Sequence, residues 1–122
     1  MPKKVLVVED DIDNRWVVSR LLSIAGYTII EAEDGQQALE KARAEKPDLI
    51  LMDLALPRLD GWEATRRLKA DPELRHIPVL ALTAFALEGD EQKARAAGCD
   101  AYITKPVRSV TIREMVRKYA GS

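Results

Sequence analysis

The sequence predicts an α/β fold: a parallel sheet with helices on both faces, built from five βα units in 122 residues. Three observations carry that prediction. Short apolar runs alternate five times with segments of helical periodicity, the pattern of parallel strands joined by crossover helices. The strand runs are continuously apolar rather than alternating, as burial on both faces requires. The chain is 47% hydrophobic and 32% charged, enough for one core beneath a soluble surface at the size of an ordinary domain.

Residues 5–8 read as the first buried strand. Residues 13–25 carry apolar side chains at Val17, Val18, Leu21, Leu22 and Ala25, the spacing of a one-sided helix, with Asp13 as its N-cap and Gly26 as its stop. Residues 28–32 form the second strand, and residues 36–45 an amphipathic helix through Ala38, Leu39 and Ala42. The third strand is 49–52. The third helix is 62–70, with Asp60 and Gly61 supplying turn and cap chemistry before it. DPELRHIP is a loop, 79–82 the fourth strand, and 88–97 an Ala-rich helix ended by Gly98. Residues 101–104 make a short fifth strand, and residues 110–119 the last helix.

Right-handed crossovers leave few ways to order five such strands. The flavodoxin-like order 2-1-3-4-5 gives a doubly wound (βα)5 three-layer sandwich with the first and third strands adjacent. One domain over 1–122, with no output domain attached, is the expected organisation. A net charge of −1 offers no basic field for nucleic acid, and no apolar run reaches membrane-spanning length. The single cysteine, Cys99, cannot form an internal disulfide, which fits a reducing compartment, and the expected location is cytoplasmic.

Ligands of such sheets sit beyond the carboxyl ends of the strands, so the strand ends are where chemistry is sought. Glu9, Asp10 and Asp11 follow the first strand. Asp53 follows four apolar residues at the end of the third, Thr83 follows the fourth, and Lys105 and Pro106 follow the fifth. Clustered carboxylates repel unless a cation sits among them, and an all-oxygen, partly hydrated set suits Mg²⁺. Magnesium, an ammonium and a hydroxyl together cradle a phosphoryl group, and a carboxylate can itself accept one. Asp53, central among these groups, is the candidate nucleophile.

VLVVEDD, LILMDLALPRLDG, PVLALTA and AYITKP stand in this order along the chain. Together they resemble the response-regulator receiver domains of two-component signalling over essentially the whole length, within them the stand-alone chemotaxis and cell-cycle regulators. The resemblance implies that Asp53 is the phosphoacceptor and a Mg²⁺ ligand. It implies that Asp10 binds Mg²⁺ directly, Glu9 through a metal-bound water, and Ala55 through its backbone carbonyl. Thr83 and Lys105 would stabilise the phosphoryl group, and Tyr102 would act with Thr83 as an aromatic switch. Pro106 is a candidate for a cis peptide bond. A histidine kinase or histidine phosphotransfer protein would supply the phosphoryl group, and a downstream protein would bind the face of the fourth helix, fifth strand and fifth helix. Ala55 and Phe85 occupy the two positions that tune phosphoryl lifetime in this family.

Two other functions are weighed. A Mg²⁺-dependent aspartyl-phosphate phosphohydrolase needs a second acid two residues after its nucleophile, where this chain has Ala55. A degenerate receiver that acts by binding alone is disfavoured by the intact acid, threonine and lysine set. No G-x-G-x-x-G follows Val8, so a dinucleotide site is not indicated. Asp11 reads as surface or cap, His76 as surface, and Cys99 as a small buried residue. Trp16 and Trp62 read as partial core, Trp16 also as part of a partner face. Residues 108–118 read as a solvated helix face. The segment ALEGDEQKARAAG has few large apolar groups, and a phosphorylation-driven change of packing is expected there and in the neighbouring last strand and helix.

Overall fold

Ten elements alternate as predicted: β1 (Lys4–Val8), α1 (Ile12–Ile24), β2 (Thr28–Ala32), α2 (Gly35–Glu45), β3 (Leu49–Asp53), α3 (Gly61–Ala70), β4 (Val79–Thr83), α4 (Asp90–Ala97), β5 (Ala101–Thr104) and α5 (Ser109–Ala120). The structure, a computed structural model, describes residues 2–54, 60–83, 90–105 and 108–120. Every strand pair is parallel and the sheet order is β2-β1-β3-β4-β5, as expected. The order reverses at β1, so the crevice between the ends of β1 and β3 is the topological switch point.

Alternation along the strands builds two cores. Leu6, Val8, Ile50, Met52, Val79 and Ala81 point to one face, where they meet Ala38, Leu39 and Ala42 of α2, Ala64 and Leu68 of α3, and Ala94 of α4. Val5, Val7, Leu49, Leu51, Leu80 and Leu82 point to the other, against Val18 and Leu22 of α1 and Ile112 and Val116 of α5. All five positions of β3 and of β4 are buried, whereas the edge strand β2 is buried only at Ala32. This two-sided covering is what a continuously apolar strand run encodes.

Helix α1 departs from the sequence reading in three ways. Of the two aspartates read as possible caps, Asp11 rather than Asp13 is the N-cap: the Asp11 Oδ1 accepts from the Asp13 and Asn14 backbone amides at 2.9 and 3.2 Å. Asp13 therefore lies inside the first turn, where a carboxylate still complements the helix dipole. The buried face is Arg15, Val18, Ser19 and Leu22, while Val17 and Ala25 are exposed. Trp16 is 63% exposed and contributes no core, because it lies off the stripe of Arg15, Val18, Ser19 and Leu22 that faces the sheet. Trp62, in contrast, is partly buried against the first core. The other caps follow the local rules: Asp34 for α2 and Asp60 for α3 each accept an amide three residues on, at 2.8 Å.

Cys99 is buried and His76 exposed, as read from the sequence. Ala55, Phe85, Gly89 and Pro106 lie outside the described residues. No helix among the described residues is long and apolar enough to cross a membrane.

Opposite the switch point, Lys69 ties three segments together. Its Nζ donates to the carbonyls of Arg75 and Ile77 at 3.2 and 2.9 Å and to Asp100 Oδ2 at 3.0 Å, and the same Asp100 oxygen accepts from the Val79 amide at 2.8 Å. Gly98 makes room for the lysine stem. It has φ of +105°, and a Cβ there would lie 2.6 Å from Lys69 Cγ. Gly98→Ala should therefore destabilise the protein by about 2 kcal/mol, through left-handed backbone strain and displacement of the lysine. Urea denaturation measures it.

Candidate functional site

The parallel register delivers the functional residues to one edge. Val8 pairs with Met52, so Glu9 and Asp53 follow at the same level on neighbouring strands. Asp53 pairs with Leu82 on β4, which puts Thr83 next in line. Thr83 pairs with Thr104 on β5, and the Lys105 amide donates to the Thr83 carbonyl at 2.7 Å. Glu9, Asp53, Thr83 and Lys105 are separated by up to 96 positions in sequence and share one end of the sheet because all strands run the same way.

Glu9, Asp53 and Thr83 are buried at 3%, 4% and 7% exposure, whereas Asp10 is exposed. Glu9, Asp10 and Asp53 each offer a carboxylate oxygen, and the three oxygens lie within 4.8 Å of one another. Two of these carboxylates share a counterion. Lys105 Nζ contacts Glu9 Oε2 at 2.6 Å and Asp53 Oδ2 at 3.1 Å. Lys105 lies at this corner, and its pairing with Glu9 is a contact that spacing along the chain does not reveal.

Burial pushes the Glu9 carboxyl up to about 7; the Lys105 ammonium opposes this and the nearby Asp53 adds to it. For Lys105, burial acts to lower the ammonium, but the hydrogen bond to Glu9 and the charge of Asp53 outweigh it and hold the pKa above its ordinary value. Burial raises the Cys99 thiol, so it is a packing residue rather than a reactive one.

The backbone around the acids is held closely. Glu9 N donates to the Ala32 carbonyl at 3.1 Å, and the Asp11 amide donates to Glu9 Oε1 at 3.3 Å. Arg15, which the sequence reading passed over, is 7% exposed and donates from Nη1 to the Glu9 carbonyl at 2.8 Å. Its only trace in the sequence is a cation on the stripe Arg15, Val18, Ser19, Leu22, where an apolar residue is expected. At β3, the Gly61 amide donates to the Leu54 carbonyl at 3.2 Å. A Cβ on Gly61 would collide with the Asp53 carbonyl oxygen and lie 2.7 Å from Leu54 Cα. Only glycine lets α3 start this close to the candidate nucleophile. Tyr102 is half-buried against the first core, and the position of Ala55 is outside the described residues.

Chemically, the arrangement offers an all-oxygen donor set for a hard divalent cation, a buried carboxylate beside it, and a mobile ammonium already in contact with that carboxylate. The known proteins most informative about it agree in kind. The family described as response regulator receiver domain matches residues 5–117. The polar-differentiation response regulator DivK of Brucella anthropi is 48% identical over 121 residues, spanning 99% of this chain and 98% of the relative. Among solved structures, the receiver domain of a sensor histidine kinase from Pseudomonas aeruginosa PAO1, with a magnesium ion in its active-site cleft, is 37% identical. It superposes with a TM-score of 0.92 and covers 100% of both chains. The chemotaxis protein CheY4 of Vibrio cholerae is 30% identical, with a TM-score of 0.92 over 98% of this chain and 99% of that one.

Two expectations follow from the geometry. Between the ordinary carboxyl range and pH 7, folded Glu9 holds a proton that the unfolded chain has released, so metal-free stability should fall as pH rises through that window. Denaturant midpoints from pH 5 to 7.5 should show this slope for the wild type and lose that component in Glu9→Gln. Gly61→Ala should lower stability by about 2 kcal/mol, because backbone atoms rather than a flexible side chain must yield. Chemical denaturation tests this, and the Asp53 and Leu54 amide resonances should shift with it.

Proposed function

We propose that this chain, which belongs to the response regulator receiver domain family, accepts a phosphoryl group on the Asp53 carboxylate and thereby changes what it binds. The observation that carries the reading is the trio of carboxylates within 4.8 Å, two of them sharing the Lys105 ammonium, at the switch point of the sheet.

The donor set fits Mg²⁺. Asp10 and Asp53 would hold it directly, Glu9 through a water, and the Ala55 carbonyl would complete the protein ligands. When bound, the ion supplies positive charge that lets carboxylates and phosphoryl oxygens share one site. The remaining work belongs to the chain. An Asp53 oxygen attacks phosphorus as the bond to the donor's imidazole nitrogen or acyl oxygen breaks and that leaving group takes the electron pair. Lys105, 3.1 Å from Asp53 Oδ2, is within reach of the arriving phosphoryl oxygen and offsets its charge. The Thr83 hydroxyl donates to another of those oxygens, and Tyr102 follows Thr83 inward. The protein is thus a phosphoacceptor that catalyses only its own phosphorylation and dephosphorylation.

A histidine kinase or histidine phosphotransfer protein is the donor in this reading, in the cytoplasm, and phosphorylation changes binding to a downstream protein. The surface of α4, β5 and α5 is the proposed output face. It includes a cleft of about 400 Å³ lined by Tyr102, Ile103, Thr104, Arg108, Thr111 and Met115, so movement of Tyr102 would reshape it directly.

Incubation with Mg²⁺ and acetyl phosphate, followed by intact mass measurement, tests the reading. One added phosphoryl group is expected, dependent on Mg²⁺ and absent from Asp53→Asn. An adduct that persists in Asp53→Asn would reassign the acceptor, and no adduct with Mg²⁺ bound and hydrolysis trapped would point to a receiver that acts by binding alone.

A further inference from the structure

We infer that Arg15 is a positioning residue for metal capture: it places Asp10 beside the other two acids by holding the Glu9–Asp10 peptide. This inference rests on the proposed function, because it takes the acidic cluster to be a Mg²⁺ site.

The three carboxylates are held by different means. Glu9 is fixed by Lys105 and by the Asp11 amide, and Asp53 is fixed by Lys105. Among the described residues, nothing hydrogen-bonds the Asp10 carboxylate, which is exposed. What the structure holds of Asp10 is therefore its backbone. The peptide joining Glu9 to Asp10 is planar from one Cα to the next, so a partner on its carbonyl oxygen restrains that plane and with it the position of the Asp10 Cα from which the side chain leaves. β1 has ended at Val8, so the Glu9 carbonyl has left the strand ladder. Arg15 Nη1 fills that role at 2.8 Å in a buried setting.

Arg15 is itself locked from behind. Its Nε donates to Glu31 Oε2 at 2.9 Å, and Nη2 lies 3.7 Å from Glu33 Oε1. Both acids lie on or just beyond β2, the strand whose Ala32 carbonyl accepts the Glu9 amide. The planar guanidinium fork spans a carboxylate on one side and a carbonyl on the other, which a single ammonium cannot do with the same geometry. Both sides of Glu9 are thus tied to β2, one directly and one through Arg15. Such partners behind a metal ligand set its affinity without touching the ion.

The test is calorimetric titration of Mg²⁺ alone into wild type, Arg15→Met and Arg15→Lys, each shown to be folded by near-ultraviolet circular dichroism. Arg15→Met should bind Mg²⁺ about tenfold more weakly, the scale of losing a partner behind a ligand. Arg15→Lys should fall between it and the wild type. Labelling of Arg15→Met by acetyl phosphate should recover at saturating Mg²⁺, which a loss of folded protein would not allow. Should Arg15→Met fail to fold, Arg15→Lys decides the question by the same affinity comparison. Unchanged affinity in the folded variants overturns the inference and leaves the proposed function standing. A wild type that takes up no Mg²⁺ removes the proposed function and the inference with it.

Discussion

Crowding of negative charge at the end of a buried sheet is the constraint on which the rest of this structure depends. Glu9 and Asp53 are almost entirely removed from water, and a third carboxylate stands within 4.8 Å of them. An isolated buried carboxylate is costly, and neighbouring ones add repulsion. The folded chain tolerates them through one ammonium, Lys105, shared between the two buried acids, and through a Glu9 carboxyl pushed up to about 7 by burial, which eases its loss of charge. Both devices are reversible. In the proposed function an incoming cation takes over from the lysine, and the lysine is then available to an incoming anion. In that reading the charge repulsion that makes the site costly also makes it responsive.

That site can be held in register only by a stiff support. The two cores supply it, because each central strand is packed from both faces and no position of β3 or β4 is left to water. The frame is most closely fitted beside the candidate nucleophile, where α3 begins against the Asp53–Leu54 backbone with no room for a methyl group. On the β1 side the support is polar: the Ala32 carbonyl, the Asp11 cap and the Arg15 fork hold an acidic turn that apolar packing could not grip. The site thus rests on closely fitted backbone beside Asp53 and on hydrogen bonds to the Glu9 backbone on the β1 side, with Lys105 joining the two buried acids.

Much of this was legible from local pattern. The strand runs, the helix stops at Gly26 and Gly98, the cap at Asp60 and the strand order 2-1-3-4-5 all agree with the structure. The misreadings cluster in α1. Local pattern offers both Asp11 and Asp13 as its cap, and the structure selects Asp11, with the apolar Ile12 opening the helix. Val17 was read into the buried face and Trp16 into the partial core because hydrophobicity was taken as burial. The true stripe runs through Arg15 and Ser19, two residues that no apolar periodicity selects.

The sequence by itself determined the alternation of elements, the two-faced burial of the strands and the set of oxygen and nitrogen groups at their carboxyl ends. These are short-range properties, written in residue type and spacing. Only the tertiary structure decided that Lys105 bridges Glu9 and Asp53, that Arg15 reaches the Glu9 carbonyl, and that Gly61 lies against Asp53. The first depends on strands 96 positions apart and the second on how α1 is rotated over the sheet. The third depends on the angle at which α3 meets β3. Spacing along the chain carries no information about distances across it, so contacts of this kind exist only once the sheet has brought its ends together.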